Sequence, residues 1–291
     1  MQEPIKAELG LSDTQLGLLT GFSFAVVYVT AGIPIAWLAD RSNRRNIVAV
    51  SLGIWSVMTA LSGMVQNYTQ LLLARLGVGL GEAGGSPPSH SMLSDYFPEE
   101  QRGTALSIYT TGIYLGIFFG YFAGGWIADT YGWRNAFFIV GIPGVVLAFL
   151  LLLLVREPPR TVLPNAVENE KASFKETIVF LLQRPAFWWI ALGCSTASFV
   201  GYGNGNFFPS LLIRNYGLTV TEVGMFMGVI SGSTGMLGTF LGGYLADRWG
   251  KRDKRWYVRI ALWGLILSLP LSYYTLLGSE PLYVVPVSYT H

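Results

Sequence analysis

The octet LADRSNRR, Leu38–Arg45, ends a long apolar stretch, and a variant of it, LADRWGKR, recurs at Leu245–Arg252. These charges are conspicuous because the chain of 291 residues is 52% hydrophobic and only 12% charged. A soluble globular chain carries about 25% charged residues. The mean hydropathy of +0.45 agrees with this composition. The sequence therefore predicts an integral membrane protein, in which the two octets are loops that follow apolar segments.

Runs of about 20 apolar residues can cross a bilayer as helices. The predicted spans are 15–39, 47–66, 70–94, 103–128, 135–155, 186–213, 222–246 and 257–277. The final residues, 281–291, begin another apolar run that is too short to cross. Long continuous runs favour helices over the alternating strands of a barrel. The predicted fold class is an all-α membrane bundle of eight spans and a stub.

The basic residues predict which loops face the cytoplasm. If the loop at 40–45 is cytoplasmic and the sides alternate, 15 of the 19 lysines and arginines fall on the cytoplasmic side. Lys6, Arg134 and Arg214 fall outside, and Arg75 lies within a span. This asymmetry follows the positive-inside rule. We expect a plasma (inner) membrane location, with the polar loop 156–185 in the cytoplasm.

The chain contains a duplicated unit. A shift of 207 residues places LSDTQLGLLTG, Leu11–Gly21, on LTVTEVGMFMG, Leu218–Gly228, and also superposes the two octets. An ungapped match over a whole span and its flanks indicates an internal repeat of six helices. The predicted organisation is an N-terminal bundle at 1–155, a linker at 156–185 and an incomplete C-terminal bundle at 186–291.

Three motifs resemble those of the major facilitator superfamily. A glycine followed by D-R-x-x-R-[RK] occurs as Gly32 with 40–45 and again as Gly242-Gly243 with 247–252, and R-x-x-x-G-x-G occurs at 75–81. The stretch 80–116 resembles the spinster-like branch, which is associated with lipid transport. Members have twelve spans in two pseudo-repeated halves. Matched to them, this chain begins just before the second helix and ends as the tenth starts.

The resemblance implies a secondary transporter that works by alternating access, with the repeated loops as cytoplasmic latches between the halves. An alternative is that the loop charges only set the topology. The residues of this predicted cytoplasmic gate are Asp40, Arg41, Arg44, Arg45, Asp247, Arg248, Lys251 and Arg252.

Arg75 and Glu82 are the only charges deep within the predicted spans. Seven residues apart, they lie on one face of a helix, about 10 Å apart along its axis. A charged carboxylate at mid-membrane is costly, so Glu82 is predicted to bind and release protons during transport, and Arg75 to pair with it or with an anionic substrate. The alternative is a fixed pair that pins neighbouring helices.

Two glycine-rich stretches are further candidates. Gly112, Gly116, Gly120 and Gly124 recur every four residues and predict a seam for close helix packing, which either is static or rocks during transport. GYGNGNFFP, at 201–209, predicts a weakened helix beside a substrate cavity, although plain helix packing is an equal alternative. The predicted cavity residues are Tyr202, Asn204, Asn206, Phe207 and Phe208. Pro87-Pro88 predicts a kink in the third span.

Other functions receive less support. The sequence shows no nucleophile with a base and no cluster of metal ligands, so no enzyme, metal or cofactor is predicted. A net charge of +2 does not predict nucleic-acid binding. We expect a monomer in lipid that moves an amphipathic lipid-like or organic anion with protons. The alternatives are a drug or metabolite transporter of the same fold, or a membrane fragment that transports nothing.

Overall fold

The computed structural model describes residues 1–160, 174–250, 253 and 255–277. Throughout these ranges the regular structure is helical. The helices are α1 (Gln2–Leu9), α2 (Asp13–Ala39), α3 (Arg44–Ser62), α4 (Tyr68–Glu82), α5 (Ser86–Tyr96), α6 (Glu99–Tyr131), α7 (Trp133–Leu154), α8 (Phe174–Leu182), α9 (Pro185–Tyr216), α10 (Val220–Gly250) and α11 (Trp256–Leu277). The all-α prediction is confirmed. The predicted stub and residues 161–173 of the predicted linker lie outside the described residues.

Polar side chains and glycines begin and end these helices. Ser12 and Gln15 form a capping box at the start of α2. Asn43 and Asn67 accept from backbone N–H groups in the first turns of α3 and α4. Gly217 ends α9 in the left-handed conformation, with φ of 67°, which glycine adopts without steric cost.

Among the described residues, five helices are long and apolar enough to cross a membrane: Asp13–Ala39, Arg44–Ser62, Ala105–Tyr131, Trp133–Leu154 and Val220–Gly250. Large apolar side chains remain exposed on them; Leu154 of α7, for example, is 76% exposed. Such surfaces are stable only against lipid, since soluble proteins rarely expose apolar patches of this extent.

The third predicted span is divided into two helices. α4 ends at Glu82, residues 83–85 form a turn, and α5 begins at Ser86 with prolines in its first turn. Proline fits at the first positions of a helix, where its missing N–H costs nothing, but not further inside. The kink predicted from Pro87-Pro88 is therefore a break that lies just before the prolines.

The principal packed pairs are α3 with α7, α3 with α4, α2 with α4, and α6 with α10. The last pair joins the N-terminal helices to the C-terminal helices. On the side predicted to face outwards, α1 folds onto the ends of the bundle. A buried apolar cluster there is formed by Ile5, Leu11, Leu16, Leu19, Val65, Leu71 and Trp133.

Candidate functional site

Arg75 and Glu82 lie on α4, and Glu82 is its last residue before the break. Both side chains are partly buried. The Arg75 guanidinium lies 5.5 Å from the centre of the Phe24 ring on α2. Among the described residues neither side chain forms a salt bridge, although the two charges interact electrostatically. The site is thus a carboxylate at a helix end, two turns from a cation that does not neutralise it by direct contact.

Glycines let α4 approach its neighbours at this point. A Cβ added to Gly81 would lie 2.6 Å from the backbone nitrogen of Trp55 on α3. One added to Gly79 would lie 3.0 Å from the carbonyl oxygen of Phe24 on α2. Real Cβ atoms essentially never come as close as the Gly81 position would require, and the Gly79 contact is tighter than nearly all real ones, so these glycines of the motif at 75–81 favour close packing. They hold the segment that carries Arg75 and Glu82 against α2 and α3.

The glycine-rich stretch of α9 is a continuous helix and not an unwound segment. Its predicted cavity residues point in different directions. Asn206 accepts a hydrogen bond from Gln2 at 3.5 Å and donates to the Tyr202 carbonyl at 2.9 Å. Tyr202 and Asn204 are exposed. Phe207 faces Gly17 of α2, whereas Phe208 is buried among apolar residues of α9 and α10.

A cavity of about 290 Å³ lies between α1, α6, α9 and α10. Its wall includes Asn206, Ser210, Tyr121 and Met1, the first residue of the chain. Neither Arg75 nor Glu82 lines it. The described residues therefore do not bring the charged pair and the α9 residues together in one cavity.

Arg44, in the first turn of α3, is the most deeply buried of the described charges in the predicted cytoplasmic gate, at 2% exposed. Its guanidinium donates to Asp95 of α5 at 2.5 Å, to Glu157 beyond α7 at 2.7 Å, and to Ser91 at 2.9 Å. A further hydrogen bond reaches the Pro158 carbonyl at 3.2 Å. All these partners belong to the N-terminal helices and their flanks, so Arg44 ties three of those elements together.

The other charged residues of the first octet contact groups in and around the loop. Arg41 lies 4.0 Å over the Trp37 ring, and the Arg45 backbone N–H donates to Glu157 at 2.8 Å. The Asp40 side chain is exposed, while its carbonyl accepts from Arg160, which also donates to the carbonyls of Ala39 and Ser42.

In the second octet Arg248 donates to the Tyr244 hydroxyl at 2.9 Å. The side chain of Asp247 and residues Lys251 and Arg252 lie outside the described residues.

The predicted glycine seam is not where α6 packs most closely. A Cβ on Gly112, Gly116 or Gly120 would meet no atom within 4 Å, and one on Gly124 would meet only Met1, at 3.8 Å.

The close approach involves the next residue, Gly125, and glycines of α10. A Cβ on Gly228 would lie 2.9 Å from the Phe118 carbonyl oxygen. The seam residues of α10 are Gly224, Gly228, Gly232 and Gly235, which the sequence analysis missed. The spacing of three to four residues between these glycines could have predicted this seam from the sequence.

A second feature that the sequence did not predict is a polar network centred on α1, called the outer network because this side is predicted to face outwards. Glu8 accepts from the Trp133 indole at 2.6 Å and from Arg134 at 2.7 Å. Arg214 of α9 pairs with Glu3 and Asp13, each at 2.7 Å. The Trp133 and Arg134 hydrogen bonds hold the pKa of Glu8 below its ordinary value.

Lys6, Arg134 and Arg214, the three basic residues predicted to lie outside, are thus all in ion pairs with acidic residues of the N-terminal segment.

Comparison with known proteins supplies further observations. A sequence profile of the Major Facilitator Superfamily matches residues 1–289. An "MFS-type efflux pump" of Mycolicibacterium smegmatis is 38% identical over 272 residues, which cover 94% of this chain and 63% of that protein. "Protein spinster homolog 1" of Xenopus tropicalis is 29% identical over 288 residues, 94% of this chain and 55% of that protein.

The fold also matches a crystal structure of a bacterial homologue of the human lysosomal transporter spinster, in an inward-facing and unoccupied conformation. The TM-score is 0.82 with 34% identity, and the match covers 99% of this chain and 66% of that one. The chain thus spans between about half and two thirds of the length of these relatives.

Proposed function

Since this chain belongs to the Major Facilitator Superfamily, in its spinster-like branch, we propose that it is part of a secondary active transporter that works by alternating access. The proposed organisation is an N-terminal bundle at 1–155, a cytoplasmic linker at 156–185 and a C-terminal bundle at 186–291. The internal repeat and the packing of α6 on α10 support it. Such a protein acts as a monomer in the plasma (inner) membrane and catalyses no covalent chemistry.

The observation that carries a proton-coupled mechanism is the position of Glu82. Its carboxylate stands at the end of α4, next to a break in the helix, without a salt bridge among the described residues. A carboxylate in this setting can exchange a proton at little structural cost, because no ion pair has to be broken. Arg75, two turns away, attracts the charged form of Glu82 or the anionic group of a substrate.

We propose an amphipathic lipid-like or organic anion as the cargo. Arg75 supplies a positive charge inside the membrane. The exposed α9 side chains Tyr202 and Phe207, which are 63% and 45% exposed, offer apolar surface beside the amides of Asn204 and Asn206. A drug or small metabolite is the second candidate, favoured by the 38% identity to an efflux pump.

The cytoplasmic loops are proposed to serve as latches between the bundles. Arg44 with Asp95 and Glu157 gives the first loop a rigid base, while the exposed Asp40 carboxylate is free of this cluster and able to meet another helix end. In this conformation, Arg248 contacts only its own helix among the contacts described.

The test is uptake by the reconstituted chain in proteoliposomes, with and without an imposed proton gradient. Dodecanoate, gluconate and ethidium serve as an amphipathic anion, a polar anion and a cationic dye. We expect gradient-dependent uptake of dodecanoate, lost in Glu82→Gln and retained in Glu8→Gln, a matched change in the outer network. Equal uptake by parent and Glu82→Gln at every pH would exclude proton coupling through Glu82. Uptake of ethidium alone would support the second candidate cargo.

A further inference from the structure

The carboxylate of Asp129, near the end of α6, is bonded to the start of α10. It accepts from the backbone N–H of Thr221 at 2.7 Å and from the Thr221 hydroxyl at 2.6 Å. Asp129 belongs to the N-terminal helices and Thr221 to the C-terminal helices, so both hydrogen bonds cross between the two groups on the outer side.

The start of α10 also has a cap of its own, which leaves this N–H available. Thr219 and Glu222 bond reciprocally: the Thr219 N–H donates to the Glu222 carboxylate at 2.8 Å, and the Glu222 N–H donates to the Thr219 hydroxyl at 3.2 Å. A capping box of this kind satisfies some, but not all, of the free N–H groups in the first turn. Asp129 takes a further N–H, and its negative charge is favoured at the positive end of the helix dipole.

These hydrogen bonds depend on close contact between the two helices. Just below Asp129, a Cβ on Gly125 would lie 2.8 Å from the Val220 carbonyl oxygen, and one on Gly224 would lie 2.5 Å from that of Tyr121. The backbones touch with no side chain between them. A separation of even a few ångströms would break both Asp129 hydrogen bonds, because hydrogen bonds weaken steeply beyond about 3.2 Å.

The sequence around Asp129 is a copy of the cytoplasmic loop motif. GGWIADTYGWR, at 124–134, and GGYLADRWGKR, at 242–252, share six of eleven residues, including both the aspartate and the glycine pair. The first ends α6 on the outer side, whereas the second ends α10 on the cytoplasmic side in the predicted topology. Asp129 therefore lies near the end of α6 as Asp247 lies near the end of α10, but on the opposite side of the membrane.

We propose that Asp129 and the start of α10 form an outer latch, made when the outer ends of the bundles are together and broken when they part. This inference rests on the proposed alternating access. In the outer latch, Asp129 of one bundle caps the first turn of α10 in the other bundle and so holds the outer side closed. In this structure the outer latch is closed, and the similarity to an inward-facing structure agrees with a closed outer side.

The outer latch can be tested by labelling a buried reporter from outside the cell. The full chain is made cysteine-free by Cys194→Ser, since Cys194 is its only cysteine, and receives Val223→Cys at a site that is 3% exposed. A membrane-impermeant maleimide then reports opening around the start of α10, where Val223 packs in a cluster with residues of α9 and with Tyr121 of α6. We expect Asp129→Ala to accelerate labelling about fivefold, the loss expected for a charged cap. Asp129→Asn, which keeps an acceptor oxygen and is the milder change for folding, should give a smaller acceleration.

Two controls make the result decisive. Lys6→Gln removes an outer charge that pairs with Asp13 of the same N-terminal segment, and it should label at the parent rate. Gly125→Leu inserts a side chain where the backbones touch and should accelerate labelling whatever holds the ends together. If this wedge accelerates labelling but neither Asp129 variant does, the outer latch is wrong. Because labelling needs no cargo, accelerated labelling without uptake of any probe would contradict the proposed cargo and leave the outer latch standing.

Discussion

Arg214 in the last turn of α9 donates to the Glu3 carboxylate of α1 at 2.7 Å. This ion pair connects the N-terminal segment to the C-terminal helices on the predicted outer face. The same guanidinium reaches Asp13 at the start of α2, also at 2.7 Å. Helix α1 therefore acts as a strap, held by Arg214 at one end and by Trp133 and Arg134, through Glu8, at the other.

Arg214→Gln should lower the melting temperature of the purified chain in detergent. The change removes two ion pairs at once, including the one that crosses between helix groups. Lys6→Gln is the matched control, since Lys6 pairs only with Asp13 in the same segment among the ion pairs described. We expect a clearly smaller effect from it, as for other exposed pairs. Equal melting temperatures for the two variants would show that the strap does not depend on Arg214.

The strap should also weaken in acid. Burial raises the pKa of Glu3, but the hydrogen bonds and the charge of Arg214 have a larger opposite effect, so the pKa lies below its ordinary value. Hydrogen bonds from Trp133 and Arg134 lower the pKa of Glu8. A lowered pKa stabilises the folded state above the unfolded value of about 4.3, and this contribution disappears as the pH falls through the folded value.

Melting curves between about pH 7 and pH 3 measure this effect. Glu8→Gln should melt below the parent at neutral pH, and the two melting temperatures should converge as the pH falls. Convergence is the diagnostic outcome, because protonated Glu8 and glutamine both lack the charge. A gap that stays constant over the whole range would assign the difference to packing rather than to the ionised carboxylate.

Arg44→Ala should destabilise the N-terminal helices more than any other single change in the first octet. It would leave Asp95 and Glu157 without their shared cation, and removing one partner of a buried ion pair costs about 3–5 kcal/mol. Arg45→Ala is the control from the next position, since the Arg45 link to Glu157 uses its backbone N–H, which alanine keeps. Thermal melting and yield in detergent distinguish the two. Similar losses for both variants would contradict the role of the Arg44 side chain.

The sequence predicted the helices well because apolar length is a property that each segment carries by itself. The helical segments and an interruption near Pro87-Pro88, which was predicted as a kink, needed no knowledge of neighbours. Of the eight predicted spans, five correspond to described helices that are long and apolar enough to cross a membrane. The packing partners were less accessible. The role of Arg44 depends on Asp95 and Glu157, which lie 51 and 113 residues away. Nothing in the local pattern at 40–45 distinguishes Arg44 from Arg45.

The glycines of α6 also show that packing partners cannot be predicted from the local sequence. A run of Gly112, Gly116 and Gly120 has the spacing of a packing seam, but the structure leaves these positions open on α6. The rotation of a helix about its axis decides which of its faces is used, and this rotation is set by the partner. Here α10 brings its own glycines to α6, and they meet Phe118, Tyr121 and Gly125 instead of the predicted α6 glycines.

Glycine-to-alanine changes at a packed position and at an open position test whether the predicted seam of α6 is free of contacts. Gly141→Ala on α7 would place a methyl 2.6 Å from the backbone nitrogen of Ala60 and 2.8 Å from the Ser56 carbonyl oxygen. Backbone atoms cannot move aside as side chains do, so overpacking should cost at least about 1–3 kcal/mol. Gly116→Ala meets no atom within 4 Å, and it should leave stability unchanged or raise it by up to about 1 kcal/mol, since alanine favours the helix.

Melting temperatures in detergent measure both variants against the parent, with Gly53→Ala as a second control. There the added methyl would meet the Ala148 side chain at an ordinary contact distance of 3.8 Å. We expect Gly116→Ala and Gly53→Ala to melt at or above the parent, and Gly141→Ala to melt well below it. A large loss in Gly116→Ala would mean that another backbone does pack on this face of α6, as the glycine spacing predicts, and that the open surface is covered in the functioning protein.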